Sequence, residues 1–326
     1  MRIGLCSRGY TRIMQVLSDG LPEDEILECS ASEVVALANE VDVLIPIVAP
    51  IPAASFIGSR LKLVQQYGVG LDSVDIPAAT QAGVMVANVP SAGTGNAESV
   101  AELAITHLLM LSRNIPLAQQ RFREKRFGSP LGGCLWGRTV LLLGYGGIGQ
   151  EIARRLAGFG VRIIAVSRQG PCGVRVRDPA VRVDLHVRTE SLLGVIGEAD
   201  YVVIAAPASP ENIGLVDARV FARMKPGTYL VNIARGPVID YAALLAALRT
   251  GRVAGAGLDV FWHEPFDPDD PLLNEHVIAT PHIGGATDAS LTGIGRAVVE
   301  NINRLRRGEE PVCWANPPAG HARLKS

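Results

Sequence analysis

The sequence predicts an α/β protein with parallel sheets, divided into two domains, and three observations carry that expectation. The chain has 326 residues, more than one hydrophobic core ordinarily supports. Short apolar runs alternate with helical patterns along most of its length, as they do where parallel strands are covered by helices. A glycine-rich turn, Gly144-Tyr-Gly-Gly-Ile-Gly149, joins a strand-like run to a helical one.

The first ninety or so residues read RIGLC, ASEVVALANEV, VDVLIPIV, LKLVQQYG, IPAATQAG and VMVANV, strand and helix in turn. From Asn96 to Gln120 apolar residues recur at helical spacing (Val100, Leu103, Ala104, Leu108, Leu111), with Glu98 and Glu102 near the start and Arg113 later. This predicts one long connecting helix that runs until Pro116 bends or ends it. A second alternating region opens at Arg138 and continues through TVLLLG, EIARRLAGFG, VRIIAVS, YVVIAAP, TYLVNIA, AALLAALRTG, VAGAGLDV and VIATPH. A last helical pattern covers Asp288 to Arg306. Its return to the first unit would make that domain discontinuous, 1–97 with 288–326, and leave 98–287 as the other.

Lys and Arg number 31 against 32 Asp and Glu, so no basic field attracts nucleic acid or an anionic membrane, and a small-molecule partner is expected. Five cysteines, Cys6, Cys29, Cys134, Cys172 and Cys313, are scattered without CxxC spacing. Neither a disulfide framework nor a metal site is expected, and reduced cytoplasmic thiols fit best. The N-terminus lacks the pattern of a secretory signal. The apolar stretch from Val43 to Ser59 is interrupted by Pro46, Pro50 and Pro52, which excludes a membrane-spanning helix there.

The Gly-rich turn follows TVLLL directly and opens QEIARRLAGFG, the setting in which this pattern binds a dinucleotide. Gly144 makes the tight turn, Gly146 lets backbone approach a pyrophosphate, and Gly149 lets the helix pack on the strand, with Gly147 and Ile148 in the same loop. The next strand ends at Ser167-Arg168, where an NAD-preferring domain usually places Asp or Glu for the ribose 2′-hydroxyl. An Arg fork and a hydroxyl suit a 2′-phosphate instead, so NADP(H) is the expected cofactor, with NAD(H) as the alternative.

Downstream, VNIARGPVID (231–240), GAGLDVFWHEP (255–265) and TPHIGGAT (280–287) present Arg235, Glu264 and His282 in order. Reduction of a 2-keto acid needs a carboxylate clamp and a positioned acid. The planar guanidinium of Arg235 suits the clamp. His282 suits general acid and base, and Glu264, bonded to the far ring nitrogen, would orient it and stabilise the imidazolium. His263 is the competing candidate. His107, His186, His276 and His321 lie outside these motifs and read as structural or surface residues, and Trp136 and Trp314 as packing residues.

With YGVGLDSVD (67–75) and GNAESVAELA (95–104) added, the ordered motifs make the chain resemble the D-isomer-specific 2-hydroxyacid dehydrogenases. That family includes glyoxylate/hydroxypyruvate reductases, D-lactate dehydrogenases and 3-phosphoglycerate dehydrogenases, and the likeness spans nearly the whole chain. The resemblance implies two Rossmann-like domains, a flavodoxin-like substrate domain and an inserted NAD(P)-binding domain, and homodimers joined mainly through the latter. It implies backbone contact with the substrate carboxylate from Val69 and Gly70. It also implies cofactor contacts from Pro207, Ile233, Ala234, Asp259, His282 and Gly284. His282, not His263, occupies the family's acid position.

Departures narrow the expectation. IPIVAPIPAA lacks the Arg-Ser that phosphoglycerate dehydrogenases commonly place after the matching strand, and with the sequence ending at Ser326 no appended regulatory domain is expected. Glu264 stands where formate dehydrogenases have Gln, and Ala206-Pro207 where members often have Thr. The reading is an NADPH-dependent reductase of a small 2-keto acid of the glyoxylate or hydroxypyruvate type. The alternatives are an NAD-dependent 3-phosphoglycerate dehydrogenase-like enzyme and, from another class, a dinucleotide-sensing binding protein like the C-terminal-binding-protein corepressors.

Overall fold

The computed structural model describes residues 1–171, 178 and 180–318; Cys172 and His321 lie outside them. The chain divides into two compact units, 1–96 with 287–326 and 97–286. Each is built on one parallel sheet, as the α/β pattern predicts.

The first unit holds β1 (Arg2–Cys6), β2 (Glu25–Glu28), β3 (Val43–Pro46), β4 (Leu63–Gln65) and β5 (Met85–Ala87), in the order β2-β1-β3-β4-β5. This is the flavodoxin-like order, which reverses direction between β1 and β3. Side chains alternate across the sheet: Ile3, Leu5, Val43 and Ile45 enter one core, while Cys6 and Leu44 enter the other. The helix Asp288–Arg306 belongs to this unit and adds Ile294, Val298 and Ile302 to the first of these cores, beside Ile13 and Leu17 of the helix Thr11–Gly20.

The second unit contains β6 (Thr139–Leu143), β7 (Arg162–Ser167), β8 (Leu185–Arg188), β9 (Tyr201–Ile204), β10 (Thr228–Asn232), β11 (Val253–Leu258) and β12 (Val277–Ala279). Their order is β12-β11-β10-β9-β6-β7-β8, so the chain switches sides between β6 and β9. Both faces are buried, Leu141 and Leu143 on one and Val140 and Leu142 on the other, which explains why these strands read as continuous apolar runs.

Three details differ from the sequence expectation. The connecting helix ends at Arg113, because Asn114 adopts a left-handed conformation (φ 46°, ψ 55°) and a second helix, Ile115–Arg123, begins there. Pro116 lies in the first turn of that second helix, where a missing N–H costs nothing, so it marks a start and not a stop. Trp136 is 76% exposed and is not a packing residue of the core. Trp314 does pack, pairing with Ala87 and donating to Asn316 Oδ1 at 2.9 Å.

Candidate active site

Gly144 follows β6 at the point where the strand order reverses, the position at which doubly wound sheets bind ligands. Its φ is +107°, and a Cβ there would stand 2.5 Å from the Ala205 and Ala206 backbone. A Cβ on Gly149 would stand 2.2 Å from the Gly144 carbonyl oxygen. Gly146 is different, since a Cβ there would meet nothing within 4 Å. The helix Gly147–Leu156 starts at Gly146 without a side-chain cap. Two glycines are thus required by the protein's own backbone. The third keeps clear the space before a helix N-terminus, where N–H groups and the helix dipole favour an anion. A dinucleotide pyrophosphate fits that arrangement.

At the end of β7, Ser167 Oγ lies 2.8 Å from His186 Nε2 of β8, and the His186 ring meets Tyr145 of the Gly-rich loop edge-on, centroids 5.1 Å apart. Burial holds His186 below its ordinary pKa, so a neutral imidazole sits beside the Ser167 hydroxyl. Arg168 is exposed, and its positive charge contributes to the lowering of Glu211 after the Ser209 hydroxyl and a backbone hydrogen bond.

Arg235, Glu264 and His282 come from three segments of the same unit. Asn232, fully buried at the end of β10, donates to the Arg235 carbonyl at 2.9 Å and accepts from the Ala234 N–H at 3.0 Å, shaping the turn that presents Arg235. Gly236 lets this turn close on the next motif, because a Cβ would stand 2.2 Å from the Phe261 carbonyl carbon. Glu264 accepts the Phe261 N–H on Oε1 at 3.1 Å and meets His282 Nδ1 with Oε2 at 2.7 Å. Burial pushes the Glu264 carboxyl up, but the His282 hydrogen bond, the Phe261 N–H and the charges of His282 and Arg235 outweigh it, and the carboxyl lies below its ordinary value. A carboxylate can only accept, so Nδ1 carries the proton and Nε2 is the ring nitrogen not bonded to Glu264.

His282 itself has a positive φ of 54°, strained for a side chain with a Cβ. Behind it Asp259, 2% exposed, accepts the Ile283 N–H on Oδ1 and the Gly284 N–H on Oδ2, each at 2.8 Å. His263 is exposed, and His282 is the histidine bonded to Glu264. Phe261, Glu264, Pro265, Phe266, Pro281 and His282 line a cleft of about 190 Å³. In the other unit, the loop after β4 holds Val69 and Gly70, and Asn88 fixes the Val69 carbonyl at 2.6 Å. The sequence reading passes over Asn232 and Thr280, whose hydroxyl donates to Asp259 at 2.7 Å, and takes His186 for a structural or surface residue. The first two flank Arg235 and His282 so closely that adjacency was the available signal, whereas nothing in the sequence links His186 to Ser167.

The family model described as D-isomer specific 2-hydroxyacid dehydrogenase, NAD binding domain, matches residues 105–284. A glyoxylate reductase of Thermococcus onnurineus is 36% identical over 305 residues, covering 90% of this chain and 88% of that protein. A D-3-phosphoglycerate dehydrogenase of Mycobacterium tuberculosis is 40% identical over 253 residues, covering 77% of this chain but 46% of that protein. The crystal structure of the NADPH-dependent glyoxylate/hydroxypyruvate reductase of Sinorhizobium meliloti, in complex with NADP and malonate, matches with a TM-score of 0.81 at 31% identity, covering 100% of this chain and 99% of that one. With the Gly-rich switch point in place, the cofactor is a nicotinamide dinucleotide, and the chain belongs to the D-isomer-specific 2-hydroxyacid dehydrogenases.

Proposed function

We propose that the protein is an NADPH-preferring reductase of a small 2-keto acid, glyoxylate or hydroxypyruvate in type. The observation that carries the acid–base reading is the 2.7 Å contact between His282 Nδ1 and Glu264. Gly144, Gly146, Gly147, Ile148 and Gly149 hold the pyrophosphate, while Pro207, Ile233, Ala234, Asp259, His282 and Gly284 line the nicotinamide end. When bound, the reduced nicotinamide supplies a hydride to C2 of the keto acid. Arg235 pairs with the substrate carboxylate and draws electron density from the neighbouring carbonyl. His282 gives its Nε2 proton to the carbonyl oxygen as that oxygen becomes a hydroxyl, and Glu264 stabilises the ring in both states.

The NADPH preference rests on the end of β7, where Ser167 meets His186 and Arg168 follows it in place of an acidic residue. It is also supported by the cofactor named for the Sinorhizobium meliloti reductase. The mycobacterial relative favours a second reading, an NAD-dependent dehydrogenase of 3-phosphoglycerate. A homodimer is supported by the second unit's exposed Phe122 (83%), Phe127 (100%), Leu131 (98%) and Trp136 (76%), an apolar set of the kind that a protein surface buries.

Steady-state oxidation of NADPH and NADH with glyoxylate, hydroxypyruvate, pyruvate and phosphohydroxypyruvate tests the reading. NADPH with glyoxylate or hydroxypyruvate should give the highest kcat/KM. Dominance of NADH with phosphohydroxypyruvate would replace it with the second reading, and no turnover despite tight NADPH binding would favour a dinucleotide sensor. Replacing Ser167 by Asp together with Arg168 by Gln should reverse the cofactor ratio.

A further inference from the structure

Behind His282 lies a buried polar relay that ends on Asp259 and whose first two members, His107 and Thr280, the reaction above does not use. Asp259 Oδ1 accepts a hydrogen bond from Thr280 Oγ1 at 2.7 Å, in addition to the one from the Ile283 N–H. Thr280 Oγ1 also lies 3.2 Å from His107 Nε2. The hydroxyl has one proton and the carboxylate can only accept, so Thr280 donates to Asp259 and His107 Nε2–H donates to Thr280. The order of donation is fixed along the whole relay, from His107 through Thr280 to Asp259, which in turn receives the two backbone N–H groups directly after His282.

His107 sits in the middle of the apolar helix Asn96–Arg113 and is fully buried. Burial lowers its pKa, partly opposed by the Asp259 charge, and keeps the ring neutral. Its other nitrogen, Nδ1, is buried without a hydrogen-bond partner among the described residues. An unpartnered buried acceptor is costly, and an apolar side chain of the same size would avoid that cost. β11 makes room for this ring, since a Cβ on Gly257 would stand 2.8 Å from the His107 Cβ. A histidine is thus accommodated here although only one of its nitrogens is used, and that nitrogen points toward the segment that carries His282.

We propose that His107 is a positioning residue for the acid–base pair: through Thr280 it orients the Asp259 carboxylate, which grips the Ile283 and Gly284 amides and holds His282 in its left-handed backbone conformation. The inference rests on the assignment of His282 as the proton donor. If the relay loosens, the imidazole no longer keeps its aim at the substrate oxygen, while the Gly-rich cradle for the dinucleotide is untouched. The consequence is a loss in kcat that exceeds any change in cofactor binding.

The test compares the full-length wild type with His107→Leu, His107→Gln, Thr280→Val and the double variant His107→Leu/Thr280→Val. Leu fills the space without a donor, and Gln can return an N–H near the position of Nε2. The expected result is a fall in kcat of about fivefold to tenfold for His107→Leu and for Thr280→Val, with the KM for NADPH changing by less than kcat because the Gly-rich cradle is intact. The double variant should fall no further than the worse single, because both changes break the same relay, and His107→Gln should recover most of the rate. Unchanged kcat in a folded His107→Leu, or losses that multiply in the double variant, would overturn the proposal. If His107→Leu does not fold, Thr280→Val alone decides: wild-type kcat there overturns the relay, and a selective kcat loss supports it. His282→Ala is measured alongside; if it keeps wild-type turnover, the acid–base assignment fails first, and the relay's purpose fails with it.

Discussion

Two corners of the same seven-stranded unit achieve function by opposite means. In the Gly-rich corner the working parts are absent side chains: Gly144 and Gly149 are required because their neighbours' backbones stand 2.5 Å and 2.2 Å from where a Cβ would be, and Gly146 because the space before it is open. In the proposed acid–base corner the working parts are two partly exposed side chains, His282 at 40% and Glu264 at 36%, with buried Asn232 and Asp259 behind them. The first corner depends on the backbone and should respond sharply to any added atom. The second depends on hydrogen bonds and should respond in steps, according to which link is cut.

Cutting the acid has the largest expected effect. His282→Ala removes the only side chain placed to protonate the substrate oxygen in this reading, and kcat should fall about a thousandfold, measured by NADPH oxidation. Arg235→Lys keeps the charge but loses the fork, and kcat/KM for the keto acid should fall about a hundredfold, mainly through KM. Gly146→Ala sharpens the contrast between the corners. Thermal unfolding should stay near wild type because the new methyl meets no protein atom, while the Kd for NADPH, followed by fluorescence, should rise about tenfold. Gly149→Ala should instead lower Tm, since its methyl would clash with the Gly144 carbonyl.

The smallest effect concerns acid stability. The Glu264 carboxyl lies below its ordinary value in the folded protein. Its stabilisation is therefore complete above the ordinary carboxylate pKa and disappears as pH falls through the lower folded value. Glu264→Gln should cost some Tm at neutral pH, and the difference from wild type should begin to shrink as pH falls below the ordinary carboxylate value and vanish below the lower folded one. Because the side chain is 36% exposed, solvent screening keeps the effect small.

The same contrast explains what could be read from the sequence. The strands of both sheet centres were legible because burial on two faces leaves unbroken apolar runs such as TVLLL and VDVLI. The edge strands β2 and β8, EILE and LHVR, carry charge at exposed ends and gave no such signal. The glycines were legible because a tight turn and a close helix–strand contact permit nothing else at Gly144 and Gly149. Arg235, Glu264 and His282 could be selected from their local motifs. Contacts between segments distant in sequence could not be, and so His186 beneath Ser167 and His107 behind Thr280 were read as ordinary structural histidines although 19 and 173 positions separate each from its partner. The Asn114 break was hidden for another reason: proline draws attention as a helix breaker, yet here it initiates the second helix.

The measurement that bears most directly on the division between a binding corner and a reacting corner is the titration of NADPH into wild type and His282→Ala, with glyoxylate turnover followed on the same samples. The account predicts a Kd for NADPH that rises by no more than about tenfold, because the Gly-rich cradle still holds the pyrophosphate, and turnover lower by about a thousandfold. A His282→Ala protein that binds NADPH and reduces glyoxylate at a rate near wild type would contradict it.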